Sequence, residues 1–508
     1  MTTRARSMRF DQLLKGMACR RIGPAGNPLI RGVCYDSRRV RPGDLFVALT
    51  GRKADGHDFI PQVAAAGAVA VLAERPVESP APAALVPSTL EALSPVSLRF
   101  YGHPSAGLCV VGVTGTNGKT TITYMLESIW KAAGRKSGVI GTVEYRWGKK
   151  TERATNTTPF SADIQRLLAR MKTDGVTHVA MEVSSHALEL HRVDGMEFRA
   201  GIFTNLTRDH LDFHQTMENY FEAKAKLFDR LLPTGKKRKF AIINADDAWA
   251  EKMLARVRCD RLTYGVRSPA DLSAENVSLS AEGTSFDLAV AGRRVPVRLG
   301  SVGMHNVSNA LAAAGAALSL GIPMSSVQKG LRSFRGAPGR LERVVLPSKK
   351  RGVSSALSFS VFVDYAHTDD ALKNVLEALR PLASGRLITV FGCGGDRDRT
   401  KRPLMGDVAV RMSDYVIVTS DNPRSEEPQR IALDIEVGIR RTGLSHYEVV
   451  LDREQAIRKA VGLAKPGDVV LTHCNGEPDA YGYPLRIWAY DQPESIGWYA
   501  EEAVVGDW

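Results

Sequence analysis

The chain has 508 residues, of which 44% are hydrophobic and 24% charged, with a formal net charge of +13. That length predicts several domains, about three, and the composition is that of a soluble globular protein. No stretch offers the roughly 18 apolar residues that a membrane span needs. The six cysteines are scattered with no C-x-x-C pair, which argues against zinc and disulfide frameworks and fits a reducing cytoplasm. The basic residues are dispersed without an aromatic-plus-basic signature, so polyanionic small molecules account for the charge at least as well as nucleic acid.

The first predicted region is 1–107. It opens on arginines with no apolar core behind them, so no secretory signal is expected. A Pro/Ala/Ser-rich stretch, 76–95, reads as loop and linker. The second region, 108–338, begins with the most informative segment. An apolar run, 108–113, meets the turn Thr114-Gly115-Thr116-Asn117-Gly118-Lys119-Thr120-Thr121, and an amphipathic stretch, 122–130, follows. Strand, glycine-rich loop, helix is the order in which backbone N–H groups and a helix N-terminus cradle phosphate. Lys119 is placed to reach terminal phosphates and the Thr120 hydroxyl to ligate Mg²⁺. Val113 stands where the general pattern has glycine, so the loop is a variant.

Further strands are expected at 177–183, 200–204 and 240–244. Glu182 falls near the end of the first, where a second metal ligand of a phosphate-loop enzyme belongs; a structural Glu–Arg pair is the alternative. Asp209, His210, Asp212 and His214 gather after the second and point to metal or phosphate chemistry. Lys224 lies in a helical pattern and on composition alone is a solvated lysine. Asn306 and Asn309 open an Ala-rich helix, suited to reading a purine edge or to capping.

The third region, 339–508, repeats the alternation, with apolar runs at 359–363, 387–391, 415–419 and 469–472. Asp364 ends one run and is placed to contact ribose. Two charged loops follow others: 394–402, which is cationic and Gly-rich, and 420–427, where Asn422-Pro423 turns the chain and aims Arg424 as a bidentate carboxylate clamp. The pattern is α/β with three domains, a central phosphate-loop ATPase-like parallel sheet and a C-terminal Rossmann-like sheet.

Together these motifs resemble the Mur ligases, ATP-dependent amide-forming enzymes of peptidoglycan precursor synthesis, from about Tyr35 to Glu477. The loop Gly115 to Thr120 has the family's form, which accounts for Val113. The resemblance implies ATP and Mg²⁺, and within the family it points to addition of meso-diaminopimelate to UDP-N-acetylmuramoyl-L-alanyl-D-glutamate. It implies that Ser37, Arg52, Lys53 and Ala54 contact the uridine nucleotide, and that Asn156, Thr157, Thr158, Ser184 and Arg192 hold the muramoyl peptide. Lys224 matches a lysine that the family carbamylates, which reverses the solvated reading. Lys119, Lys224 and His210 are then catalytic, and Thr120, Glu182, His210 and carbamylated Lys224 hold metal. Asn306, Arg340 and Asp364 fall to the nucleotide. Arg397, Asp421, Asn422, Pro423 and Arg424 fall to diaminopimelate, with Glu477 for its distal ammonium. One segment departs: the family's Gly-Lys-Gly-His-Glu is here His473-Cys-Asn-Gly-Glu477, followed by Pro478. The tail with Trp488, Trp498 and Trp508 is unlike the family. The expected enzyme is a cytoplasmic monomer that forms an acyl phosphate and binds no nucleic acid. Lysine as the added amino acid, a folylpolyglutamate- or cyanophycin-type ligase, and a non-enzymatic nucleotide switch are the alternatives.

Overall fold

The structure, a computed structural model, describes residues 7–51, 54–231, 237–280, 283–344 and 358–473, and the backbone of Arg486–Ala489 and Ile496–Tyr499. Three large sheets follow one another along the chain. The first runs in the order Arg20–Ile22, Ala83–Leu85, Ala70–Ala73, Asp44–Val47, Gly32–Cys34, parallel except for its first pair. Asp44–Val47 and Ala70–Ala73 are buried along their whole length, because apolar clusters cover both faces.

The stretch 76–95, expected as a linker, instead contains the strand Ala83–Leu85 and the start of the helix Thr89–Tyr101. Pro95 sits inside that helix. Proline there removes one backbone donor, but Leu93, Val96 and Phe100 bury the apolar face. Ser88 caps the start by accepting from the Glu91 amide, and Gly102 closes the end at φ 73°. Packing and caps outweigh local composition.

The central sheet has eleven strands. Its middle is parallel, in the order Ser137–Ile140, His178–Glu182, Cys109–Thr114, Ala200–Phe203, Phe240–Asn244, Asp260–Gly265. These lie within one residue of the expected strands where strands were expected. The pair Glu144–Trp147 and Lys150–Arg153 extends one edge. Leu272–Ser280, Gly283–Val290 and Arg293–Leu299 extend the other as an antiparallel meander. That meander was not legible as parallel α/β, because its strands alternate buried and solvated residues.

Helices Lys119–Ala132, Met304–Ser319 and Met324–Ser333 share one core with the sheet. Alanines along Met304–Ser319 let it approach closely, and Gly330 is required at a crossing where a Cβ would lie 2.4 Å from the Ile129 Cα. Helices Ser161–Thr173 and Met217–Asp229 cover the opposite face.

The third sheet runs Glu342–Arg343, Ser360–Asp364, Val469–His473, Leu387–Phe391, Tyr415–Val418, Tyr447–Val449, all parallel after the first. Among the described residues, no helix is long and apolar enough to cross a membrane. In such sheets ligands bind beyond the carboxyl ends of the strands. Cys109–Thr114, His178–Glu182 and Ser360–Asp364 end there on polar residues, and Ala200–Phe203 is followed there by Thr204 and Asn205.

Candidate active site

The turn after Cys109–Thr114 has two glycines that the geometry requires. Gly115 sits at φ 150° and Gly118 at φ 88°. A Cβ at the first would lie 1.8 Å from the Thr204 hydroxyl, and at the second 2.4 Å from the Asn309 side-chain oxygen. The loop is held open from outside: the Asn117 amide donates to Asn205 Oδ1 (2.8 Å), and the Thr204 hydroxyl to the Asn117 carbonyl (2.6 Å). Lys119 curls back, its ammonium donating to the carbonyls of Gly115 (2.9 Å) and Thr116 (2.7 Å). Burial holds its pKa below the ordinary lysine range, against the opposing pull of Glu182.

Glu182 is 1% exposed. It pairs with hydroxyls rather than with an arginine. Its Oε1 accepts from the Thr120 hydroxyl (3.0 Å) and the Thr142 amide (2.8 Å), and its Oε2 from the Thr142 hydroxyl (3.0 Å). The Arg340 guanidinium reaches the same Thr120 oxygen at 3.4 Å. A buried carboxylate beside the phosphate-loop hydroxyl is a donor set suited to a hard divalent cation.

Lys224 is 1% exposed, so it is not a solvated lysine. The helix Met217–Asp229 turns it inward, its ammonium over the Tyr220 ring (4.3 Å) and donating to the Gly115 carbonyl (2.9 Å). Lys119 donates to that same carbonyl. Burial first, and the neighbouring Lys119 charge second, push the Lys224 pKa well below the lysine range. A neutral amine is the form of lysine that reacts with CO₂.

His210 adopts a left-handed φ of 55°, directing its ring beside the Asp209 carboxylate (Nε2 to Oδ2, 3.4 Å). His367, from the third sheet's side, reaches the same oxygen at 3.5 Å. Burial lowers the His210 pKa to about 3 and the His186 pKa to about 4, leaving both rings neutral and able to ligate metal. His214 is tied to the Ser185 hydroxyl (2.9 Å) and stacks on Tyr220, a supporting position. Among the described residues, no three His, Cys, Asp or Glu side chains form a ready-made metal cluster.

Two cavities flank the loop. The smaller, about 520 Å³, is lined by Asn117, Gly118, Thr121, Asn306, Arg340 and Asp364, with Asp370 among others. Asn306 spends its amide protons on the Ser301 hydroxyl (2.7 Å) and Val302 carbonyl (2.8 Å), so it braces the helix start as well as forming the wall. Arg340 stacks on Tyr365 (4.2 Å). Asp364 accepts from the Leu341 amide (2.6 Å), and burial raises its pKa to about 6. The Asn117 side chain donates to Asp370 (3.1 Å), joining the loop directly to the third region.

The larger cavity, about 810 Å³, gathers most of the remaining expected residues: Gly115 to Thr121, Asn156, Thr157, Thr158, Glu182, Ser184, Arg192, His210, Lys224, Arg397, Asp421 and Arg424. Arg192 donates to the Thr158 carbonyl (2.7 Å), and the Thr157 and Thr142 hydroxyls meet at 3.0 Å, Thr157 donating because the Thr142 proton goes to Glu182. The loop 420–427 puts Arg424 at φ 50°, donating to the Gly395 carbonyl (2.7 Å), while Asp421 pairs with Arg453 (3.3 Å). Fully buried Arg402 binds Glu426 and Asp434, holding the two charged loops together. Asn422 and Pro423 supply backbone to that junction, where Gly395 leaves no room for a Cβ beside the Pro423 carbonyl.

Ser37 and Ala54 line neither cavity. Ser37 starts a short 3₁₀ turn capped by Asp36, and Ala54 closes a tight loop through its carbonyl and the Gly51 amide (2.9 Å). Tyr35 links that region to the central sheet through Asp163 (2.7 Å). Arg52, Lys53, Glu477 and the tail residue Trp508 lie outside the described residues. Sequence reasoning missed Thr142, His367, Asp370 and Lys401. His367 and Lys401 stood in segments already singled out, the second in the cationic loop 394–402; Thr142 and Asp370 carried no local signal.

Three family models match in order: the Mur ligase family catalytic domain over 29–99, the Mur ligase middle domain over 113–317, and the Mur ligase glutamate ligase domain over 339–476. The chain belongs to the Mur ligase family, whose members are ATP-dependent, ADP-forming ligases. It is 42% identical to the UDP-N-acetylmuramoyl-L-alanyl-D-glutamate–2,6-diaminopimelate ligase of Syntrophomonas wolfei, over 91% of this chain and 93% of that one. It is 46% identical to the ligase of the same name from Solibacter usitatus, over 87% of each. A solved structure of a ligase of this name superposes with a TM-score of 0.61 at 31% identity, covering 93% of both chains.

Proposed function

We propose that the protein joins meso-2,6-diaminopimelate to the D-glutamate γ-carboxylate of UDP-N-acetylmuramoyl-L-alanyl-D-glutamate, consuming ATP, as a cytoplasmic monomer in peptidoglycan precursor synthesis. One observation carries the reading. The phosphate loop, the segment 155–158 and the loops bearing Arg397, Asp421 and Arg424 all line one cavity.

A free carboxylate is a poor electrophile, so it is first phosphorylated. The γ-carboxylate oxygen attacks the γ-phosphorus of ATP, ADP leaves, and an acyl phosphate forms. The amine of the incoming amino acid then attacks the acyl carbon, and phosphate departs with the C–O electron pair. Lys119, released from its own loop carbonyls, offsets the charge gathered between carboxylate and phosphates. Thr120, Glu182, His210 and carbamylated Lys224 would hold Mg²⁺, which supplies further charge neutralisation when bound. Thr158 and Arg192 hold the peptide, Asn306, Arg340 and Asp364 the nucleoside, and Arg397 and Arg424 the distal carboxylate of diaminopimelate. Resemblance to the family assigns Ser37, Arg52, Lys53 and Ala54 to the uridine end. The substrates come from different sheets, so their binding assembles the site.

The test is ADP release from ATP with and without UDP-muramoyl dipeptide. The reading expects release to require that substrate. Release independent of it marks a nucleotide switch, and release driven instead by a folate or an amino-acid polymer marks another ligase type.

A further inference from the structure

Thr142 lines the larger cavity, in the turn between the strands Ser137–Ile140 and Glu144–Trp147, and none of the roles above uses it. It grips both carboxylate oxygens of Glu182, its amide donating to Oε1 (2.8 Å) and its hydroxyl to Oε2 (3.0 Å). The preceding residue makes room, because a Cβ on Gly141 would lie 2.3 Å from Oε1. Among the described residues, the remaining hydrogen bond to this carboxylate comes from the Thr120 hydroxyl (3.0 Å). When Thr120 and Glu182 share a cation, that bond is given up, and the pair from Thr142 is left to orient the carboxylate.

The Thr142 hydroxyl also reaches the peptide side of the cavity. Its proton goes to Glu182, so its oxygen accepts from the Thr157 hydroxyl (3.0 Å). Thr157 lies in the segment 155–158, and its neighbours there are tied down independently. The Tyr145 hydroxyl accepts from the Thr155 (3.2 Å) and Asn156 (3.1 Å) amides and donates to the Asn156 carbonyl (2.7 Å). The Thr158 hydroxyl donates to the Glu182 carbonyl (2.8 Å) and accepts from the Ser184 amide (3.0 Å). With its proton committed to Thr142, Thr157 offers the cavity an acceptor oxygen. Thr157 to Thr142 to Glu182 is a run of hydroxyls donating in one direction, and such runs strengthen cooperatively.

We propose that Thr142 is a positioning residue that orients Glu182 for metal and couples metal binding to binding of the peptide substrate. The coupling, though not the positioning, rests on the ligation reading above. Partners that orient a metal-ligating carboxylate from outside contribute about 10- to 100-fold in metal affinity. A peptide N–H donated to Thr157 sharpens each hydroxyl down the run and fixes the carboxylate at its end. By linkage, metal then tightens the peptide by the same factor as peptide tightens the metal. The cation is held most firmly when the acceptor is in place.

Two measurements without turnover test this. Mn²⁺, which takes the same oxygen ligands as Mg²⁺ and is read by electron paramagnetic resonance, is titrated into nucleotide-free protein in bicarbonate buffer. Thr142→Val weakens its binding about 10- to 100-fold, and Thr142→Ser restores most of the loss. If Thr142→Val folds poorly, Thr142→Ala against Thr142→Ser makes the same comparison. An unchanged Mn²⁺ affinity overturns the positioning role. Binding of UDP-muramoyl dipeptide is then followed by calorimetry with and without Mg²⁺, in the absence of ATP and amino acid. Wild type binds it about fivefold or more tighter with Mg²⁺. Thr142→Val and Thr157→Val each lose that difference, although Thr157→Val keeps the wild-type Mn²⁺ affinity when no peptide is present. A Mg²⁺ effect that is missing from wild type overturns the coupling, and so does one that survives in the variants, which marks direct contact between substrate carboxylate and metal. A wild-type protein that binds no dipeptide overturns the ligation reading beneath the coupling, and the Mn²⁺ comparison still decides the positioning role.

Discussion

Replacing Lys224 by methionine should abolish ligation and yet stabilise the protein, by an amount that depends on pH. The amine is 1% exposed and shares the Gly115 carbonyl with Lys119. Removing it leaves that carbonyl paired, because Lys119 still donates. The stem volume is kept, so no cavity opens. What disappears is a group whose folded-state pKa lies well below its unfolded value of 10.5. In the window between those two values the unfolded chain binds more protons than the folded one, so wild-type stability rises with pH through it. The methionine variant lacks that rise. Its advantage over wild type should be largest at low pH and shrink by about 1.4 kcal/mol per pH unit inside the window. Chemical unfolding of both proteins at pH 8.5 and 9.5, in CO₂-free buffer so that the wild-type amine is unmodified, measures the difference. An advantage that does not change between the two values, or a methionine variant less stable than wild type at both, would refute the buried-amine argument.

Lys119→Ala should lose more than nine-tenths of turnover with its melting temperature unchanged, since the lysine now bonds only to its own loop; a steady-state assay beside a thermal melt checks this. Lys224→Ala should regain part of its activity when a small carboxylic acid is added in place of the carbamate, and wild-type activity without it would restore a bystander role. Asp364 has a folded pKa raised from 3.8 to about 6, so it draws stability away as pH rises through that window. Asp364→Asn should remove that loss, gaining up to roughly 3 kcal/mol relative to wild type between pH 4 and 7 in unfolding curves. Arg424→Ala should lose about a hundredfold or more in kcat/KM for diaminopimelate with little change in KM for ATP, and equal losses for both would show that the arginine holds the loop rather than the substrate.

The parallel strands were legible because each is a short apolar run buried on both faces, from Cys109–Thr114 to Val469–His473. The phosphate loop was legible because glycine and lysine spacing there is set by the backbone itself. Lys224 was not legible on composition, since nothing in a helical pattern says which face another sheet will cover; only the resemblance to a family assigned it. The helix Thr89–Tyr101 was hidden by Pro95, whose local cost is met by packing that lies far away in sequence. The meander from Leu272 to Leu299 was hidden by its solvated face. Thr142 and Asp370 become site residues only through tertiary contact, Thr142 by donating to Glu182 and Asp370 by accepting from Asn117.

The most direct measurement is a ligation assay with ATP, UDP-N-acetylmuramoyl-L-alanyl-D-glutamate and a panel of amino acids, following ADP and the mass of the nucleotide product. The account predicts one ADP per amide formed, with meso-diaminopimelate preferred over lysine by orders of magnitude in kcat/KM. Equal use of lysine and diaminopimelate, or no product with either, would contradict it.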